Sequence, residues 1–180
     1  NGRFIQTGGA LYLDNRMDMI IGTNTGFGWF EVGGTSDVYA GRTLIVGGGS
    51  TSAVLKIRGS SITRFQVGTD QTNPDGFDAR FQSNSILAVE LDGEGVTPIK
   101  VRDNIWIHTN AYLAVGATPD ATAGVYTVMY VTDPGAYITN DGLAFVEGVN
   151  PNKWNFEMTS TNVKVSFNPR GGTGTRMIVR

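Results

Sequence analysis

What most constrains this chain is a recurrence of short apolar or alternating runs, roughly three to seven residues each, with turn signals at intervals near ten. The runs are Ala10–Leu13, Met19–Ile21, Trp29–Val32, Thr43–Val46, Val54–Ile57, Ile62–Val67, Ile86–Leu91, Ile99–Val101, Ile105–Ile107, Tyr112–Val115, Val125–Val131, Ala136–Ile138, Leu143–Val146, Trp154–Met158, Val163–Phe167 and Met177–Val179. The clearest turns are Gly33-Gly34, Gly47-Gly48-Gly49, Asn73-Pro74-Asp75-Gly76, Asp92-Gly93-Glu94-Gly95, Asp133-Pro134-Gly135 and Asn140-Asp141-Gly142. Two of these, Asp92-Gly93 and Asn140-Asp141-Gly142, stand between strand-like runs and predict hairpins. No window carries apolar residues at helical spacing without Gly or β-branched intrusions. The nearest, Phe77 to Leu91, is broken at Ser83-Asn84-Ser85, and Ile86–Leu91 reads as a strand. The expectation is an all-β protein of many short strands with Gly-rich turns and negligible helix.

Composition narrows this further. Gly supplies 25 of 180 residues, roughly twice its usual share of about 7%. It is not spaced every third residue, which excludes collagen. Hydrophobic residues make up 40% and charged residues 17%, enough for a core and too apolar for a disordered chain. Net charge is −2 with Lys and Arg scattered singly, so no basic stripe awaits nucleic acid. No apolar run approaches 18 residues, which argues against membrane insertion. Cysteine is absent, which removes disulfides, thiolate catalysis and Cys-based metal sites. Beginning at Asn, the sequence is expected to be a fragment of a longer chain or a processed product. We read residues 1–180 as a single β-rich segment, divisible into a shaft-like part, 1–110, and a tip-like part, 111–180.

A loose internal echo runs through it. Thr43-Leu44-Ile45-Val46-Gly47 precedes a small polar loop and then Val54-Leu55-Lys56-Ile57. Tyr112-Leu113-Ala114-Val115-Gly116 precedes the loop 117–124 and then Val125–Val131. Met19-Ile20-Ile21-Gly22 and Phe65-Gln66-Val67-Gly68 are fainter members. The cadence in Tyr112-Leu113-Ala114-Val115-Gly116-Ala117-Thr118-Pro119 resembles the shaft and pre-tip segments of phage tail fibres and tailspikes. That resemblance implies intertwined β-strands in a homotrimer, because short Gly-rich strands bury little each and leave sheet edges that threefold winding would pair. A monomeric β-sandwich or barrel, and a short β-helix, are the alternatives, since both close edges within one chain.

Chemistry-bearing residues are few. His108 is the single histidine and shares a strand face with Trp106 in Ile105-Trp106-Ile107-His108. One His without Cys cannot supply a zinc site alone, and no Gly-x-Ser-x-Gly elbow accompanies it. Gly47-Gly48-Gly49-Ser50-Thr51-Ser52 lacks the Lys of a phosphate loop, and Gly26-Phe27-Gly28 lacks the rest of a dinucleotide fingerprint. No cofactor is expected. Asp92 with Glu94, Asp75 with Asp78, and Glu147 or Asp141 are the carboxylates to weigh for glycan cleavage, although solvated turns explain them. Asp70, Asn73, Asp75 and Asp78 could approach a calcium ion, but their spacing is not that of an EF-hand; no catalytic or metal residue is assigned.

Aromatic residues are the better binding clue. Phe27 and Trp29 cluster among glycines, Tyr126 and Tyr130 lie on one strand face, and Asn152-Lys153-Trp154-Asn155 sets a Trp among amides. Rings that stack on sugar C–H faces beside hydroxyl-binding amides make Trp154, Asn152, Asn155, Phe27 and Trp29 the candidate receptor contacts. Core burial is the competing explanation, above all for Trp29 and Trp106. The functional expectation is a virion tail component, assembled in the host cytoplasm and not an enzyme. It would partner with its own copies, with other tail proteins and with a bacterial surface glycan or protein receptor. The alternatives are a carbohydrate-binding or adhesin sandwich and a fragment of a polysaccharide depolymerase.

Overall fold

A computed structural model describes residues 2–14, 17–22, 26–49, 52–68 and 77–171. Five circuits of chain each supply three strands. The first holds β1 (Gly2–Gln6), β2 (Ala10–Tyr12) and β3 (Met19–Ile21), and the second β4 (Gly28–Val32), β5 (Asp37–Ala40) and β6 (Leu44–Val46). The third holds β7 (Ala53–Arg58), β8 (Arg64–Val67) and β9 (Ala79–Phe81), and the fourth β10 (Ser85–Leu91), β11 (Ile99–Val101) and β12 (Ile105–Ile107). The fifth holds β13 (Tyr112–Ala117), β14 (Gly124–Val131) and β15 (Ile138–Asn140), and β16 (Ala144–Phe145) begins a sixth. The chain then folds back as β17 (Trp154–Met158) and β18 (Asn162–Phe167).

Strands three apart in sequence pair in parallel. Sheet A runs β1-β4-β7-β10-β13-β16, sheet C runs β3-β6-β9-β12-β15, and sheet B runs β2-β5-β8-β11-β14 before β18 and β17 join it antiparallel. The molecule is therefore a three-sided parallel solenoid. The all-β expectation holds, but the intertwined homotrimeric fibre does not, because strands of one chain pair laterally with each other and need no second chain to build the core. The antiparallel sandwich fails on the same parallel ladders.

The core is a stack of inward ladders, because a parallel pair in register puts like positions above each other and successive residues on opposite faces. Phe30, Leu55, Leu87 and Leu113 lie in successive register on sheet A, all 3% exposed or less. Val38 and Phe65 of sheet B, and Leu44, Ala79 and Ile105 of sheet C, continue the core from the other two walls. Corners must turn sharply. Gly34 takes a φ of +56, and a Cβ there would meet the Thr7 carbonyl oxygen of the coil before it. Gly47 takes a φ of +89, with the Ser85 Cβ 3.3 Å from where its own would lie. Each position wants a residue without a side chain.

Both predicted hairpins are corners instead. Asp92 and Gly95 do close a tight antiparallel bridge, but β10 before it lies in sheet A and β11 after it in sheet B. Asn140-Asp141-Gly142 likewise carries the chain from sheet C to sheet A. A two-residue turn signal identifies a reversal of direction, and a solenoid corner uses the same residues. The antiparallel hairpin that forms is β17–β18. Its loop carries no Gly and is held by the Thr159 hydroxyl, which accepts from Asn162 N at 3.1 Å and Thr161 N at 3.3 Å. The echo is also resolved differently. Met19–Ile21 and Leu44–Val46 stack as β3 on β6, whereas Tyr112–Val115 belongs to another wall.

A bulge between Thr127 and Met129 in β14 changes the parity of that strand. Tyr126 pairs with the buried Val165 and Tyr130 with the outward Asn162, so the two tyrosines do not share a face. The hydroxyl of Tyr126 donates to the Thr122 carbonyl at 2.8 Å.

Equivalent ladder positions should differ in cost according to their neighbours. Leu87→Ala is expected to lose about 2–5 kcal/mol in urea denaturation. Phe4→Ala, on the same ladder but 54% exposed, is expected to lose less than about half of that.

Candidate functional site

The outer face of sheet A gathers the polar chemistry of several coils. Outward positions Arg3 and Trp29 stand in register, as do Glu31 and Lys56 one pleat along, then Arg58 and Glu90. Glu31 is 5% exposed although it points away from the core. Its carboxylate accepts from the Trp29 indole at 3.2 Å, from Arg3 at 3.3 Å and from Arg58 at 3.1 Å. Arg58 also reaches Glu90 at 3.3 Å, and Lys56 Nζ lies 2.6 Å from the other Glu90 oxygen. Arg3 sits 5.3 Å over the Trp29 ring, and Phe27 lies 6.4 Å from Trp29 centroid to centroid.

The floor beside this network is made of small residues. Ala88 and Ala114 stack in one outward row and Gly116 extends the next, alongside Glu90. They leave a shallow trough of ≈ 220 Å³ between Trp29, Lys56 and Glu90. A second hollow of ≈ 330 Å³ adjoins it, lined by Glu31, Arg58, Glu90, Asp92 and Thr118. An aromatic ring, two carboxylates and two cations thus border a concave strip along three coils.

Electrostatics fix the protonation of the strip. Burial pushes Glu31 up, but the Trp29 indole, Lys56, Arg3 and Arg58 outweigh it and hold the carboxyl below its usual range. The ammonium of Lys56 hydrogen-bonds Glu90 and holds it low against its own desolvation. Both are carboxylates at neutral pH, so they act as acceptors and neither is a proton donor.

The carboxylates weighed from sequence fall elsewhere. For Asp92, burial pushes the carboxyl up, but hydrogen bonds from Ser60 and from the Glu94 and Gly95 amides hold it low. Its oxygens are taken by Ser60 N at 2.7 Å, Ser60 Oγ at 2.9 Å and those two amides at 3.0 and 2.9 Å, which makes it a corner brace. Glu94, Asp141 and Glu147 are exposed. Asp70, Asn73 and Asp75 lie outside the described residues, while Asp78 is buried and paired with Arg80 at 3.1 Å. Among the described residues no group of three acidic or His side chains is set to hold a metal ion. His108 is exposed beyond β12.

The aromatic candidates divide. Trp29 and Phe27 are half-buried at the sheet A face, so the core explanation for Trp29 gives way to an outward one. Trp106 is also half-buried, with its ring edge-on to Tyr137 at 5.7 Å. Trp154 is 9% exposed and stacks on Phe167 at 4.4 Å. It belongs to the core under the β17–β18 hairpin and cannot offer a ring to a ligand. Asn152 and Asn155 are exposed beside it, without the platform expected between them. Glu31, Lys56, Arg58 and Glu90 were missed by sequence reasoning. Their signal is alternation within Trp29–Val32 and Val54–Arg58, visible as a cluster only once the coil length is known.

No protein family, no curated protein and no solved structure matches the chain.

Acid should erode the network with a definite sign. Glu31, Glu90 and Asp92 all have lowered folded-state pKa values, so their stabilisation is full above the unfolded value, 4.5 for the glutamates, and is lost as pH falls through the folded ones. Melting temperature is expected to hold from neutral pH down to the unfolded value of 4.5 and to fall below it as the carboxylates protonate. Glu90→Gln should melt lower at neutral pH and show a flatter acid limb in the same scan.

Proposed function

We propose that the chain is a structural and receptor-binding component of a phage tail fibre or tailspike, carried on the virion, which attaches to a glycan on the bacterial surface. The observation that carries this reading is the strip on sheet A. Trp29 offers a ring for stacking on a sugar face, while Glu90, Arg58 and Lys56 offer acceptors and donors for hydroxyls around a floor of Ala and Gly, and the buried Glu31 holds Trp29 and Arg58 in place. A solenoid suits the task because its walls are rigid and present the same face over successive coils, so the contacts are preorganised.

The depolymerase reading is the less supported one. Glycosidic cleavage by two carboxylates needs one that stays protonated to donate to the leaving oxygen, and cations hold both glutamates of this strip ionised. Self-association remains part of the proposal, although its original ground is gone. Copies are not needed to build a core, and any contact between them must use the outside or an end of the solenoid.

The test is binding of purified capsule polysaccharide and lipopolysaccharide to the folded chain by calorimetry, after a glycan array has selected the ligand. Trp29→Ala and Arg58→Ala are each expected to weaken binding about tenfold, near 1.4 kcal/mol. Trp154→Ala should lower the melting temperature and leave affinity unchanged. Full affinity in both strip variants would remove the site, and release of reducing ends would transfer the reading to the depolymerase.

A further inference from the structure

Gly116 is a glycine that the fold does not require. Gly34 and Gly47 sit at corners with positive φ, and Gly28 opens β4 where a Cβ would run into the Gly22 backbone. Gly116 lies inside β13, its φ is outside the left-handed region, and a Cβ built on it meets no atom of the described residues within 4 Å. It stands on an outward row of sheet A, in register with Glu90. A glycine inside a strand weakens it, because it frees the unfolded chain and brings no side chain to pack. Where neither φ nor crowding calls for one, bare backbone serves the close approach of something else.

Two neighbours repeat the pattern. Ala88 and Ala114 hold the adjacent outward row, in register with each other and with Lys56, although alanine is a poor strand former. The outward positions just before them carry Ile86 and Tyr112. The wall therefore takes large side chains and turns small only beside Glu90. These three small residues floor the trough of ≈ 220 Å³ that Trp29, Lys56 and Glu90 border.

Charge decides what the trough admits. Glu31 is matched by Arg3 and Arg58, and Glu90 by Arg58 and Lys56. A carboxylate or phosphate on the ligand would face Glu90, and an ammonium would face Lys56, 2.6 Å from that same glutamate. Either charge would have to break an existing pair to find its own partner. A hydroxyl breaks none. The Lys56 ammonium has N–H groups beyond the one that meets Glu90, and a carboxylate oxygen accepts more than one hydrogen bond.

We propose that Gly116, with Ala88 and Ala114, forms the seat for one uncharged sugar ring lying flat on sheet A, its hydroxyls held by Lys56 and Glu90 and Trp29 closing one side. This rests on the glycan reading above; it adds the class of sugar and the position that admits it. The trough is smaller than the roughly 300 Å³ at which pockets for larger ligands begin, so it holds a single ring. A longer glycan continues over the adjoining hollow beside Arg58. A side chain at position 116 would fill the seat without touching the fold.

The test sets stability against binding. Gly116→Thr puts a strand-favouring residue on an open outward position. Its melting temperature is expected to hold or rise, while calorimetry with the neutral capsule polysaccharides and O-polysaccharides selected on a bacterial glycan array finds affinity reduced on the order of tenfold or more. Gly116→Ala, one methyl, should melt no lower than the unaltered chain and bind with intermediate strength. On the array, polysaccharides with a uronic acid or phosphate in every repeat should bind at least about tenfold more weakly than neutral ones, and added salt should leave the neutral affinity unchanged. Undiminished affinity in Gly116→Thr, beside a loss in Trp29→Ala, overturns the seat and leaves the glycan reading standing. A lower melting temperature in Gly116→Ala makes the glycine structural and overturns the seat as well, as does a preference for the acidic polymers. Should Gly116→Thr fail to fold, Gly116→Ala decides by the same two readings. Binding of no polysaccharide by the unaltered chain removes the glycan reading itself, and the seat with it.

Discussion

The parallel backbone ladder is the interaction on which everything else depends. Because strands three apart pair in register, a residue on one coil lies directly over its counterpart 25 to 35 positions later, as from Trp29 to Val54 and from Leu44 to Ala79. The strand spacing of about 4.8 Å then decides what each position can be. Inward positions must tolerate an apolar neighbour above and below, which Phe30, Leu55, Leu87 and Leu113 do. Outward positions come within ion-pair distance, and Arg58 can bridge Glu31 on one coil to Glu90 on another. The inward core and the outward wall chemistry therefore have a single cause.

Much of the secondary structure could be read along the chain. Strand positions such as Ser85–Leu91 follow from alternation of Ile86, Ala88 and Glu90 with the buried Leu87, Val89 and Leu91. The Gly-rich breaks marked real corners. What could not be read was the partner of each strand. A turn at Asp92-Gly93 is compatible with a hairpin and with a solenoid corner, because both need a tight reversal at positions that small or polar residues supply. The coil length is also irregular, and an insertion of several residues between β8 and β9 hides the period that identical spacing would have revealed.

The candidate site was legible only in part, for a related reason. Trp29 stood out because a large ring among glycines is unusual. The residues around it looked like scattered single charges, since Arg3, Glu31, Arg58 and Glu90 are spread over most of a hundred positions. Trp154 shows the opposite error. Polar neighbours in sequence suggested a wet ring, but adjacent residues in a strand point to opposite faces, so Asn155 is exposed while Trp154 packs on Phe167. Tyr126 and Tyr130 were separated by one extra residue in the ladder, and no local pattern announces a bulge.

By itself the sequence determined that this protein is built of short strands. β-branched and aromatic runs fit a pleated surface, and glycines at close intervals forbid long elements of any kind. It also determined which side chains of an unbulged run share a face, because alternation is a property of the single strand. Only the tertiary structure decided that the strands pair within one chain in three parallel walls, that Glu31 and Glu90 share one guanidinium, and that β17 and β18 join sheet B antiparallel. Those outcomes depend on register between segments far apart in the chain. Register is set by the summed packing of whole coils, which no single segment carries.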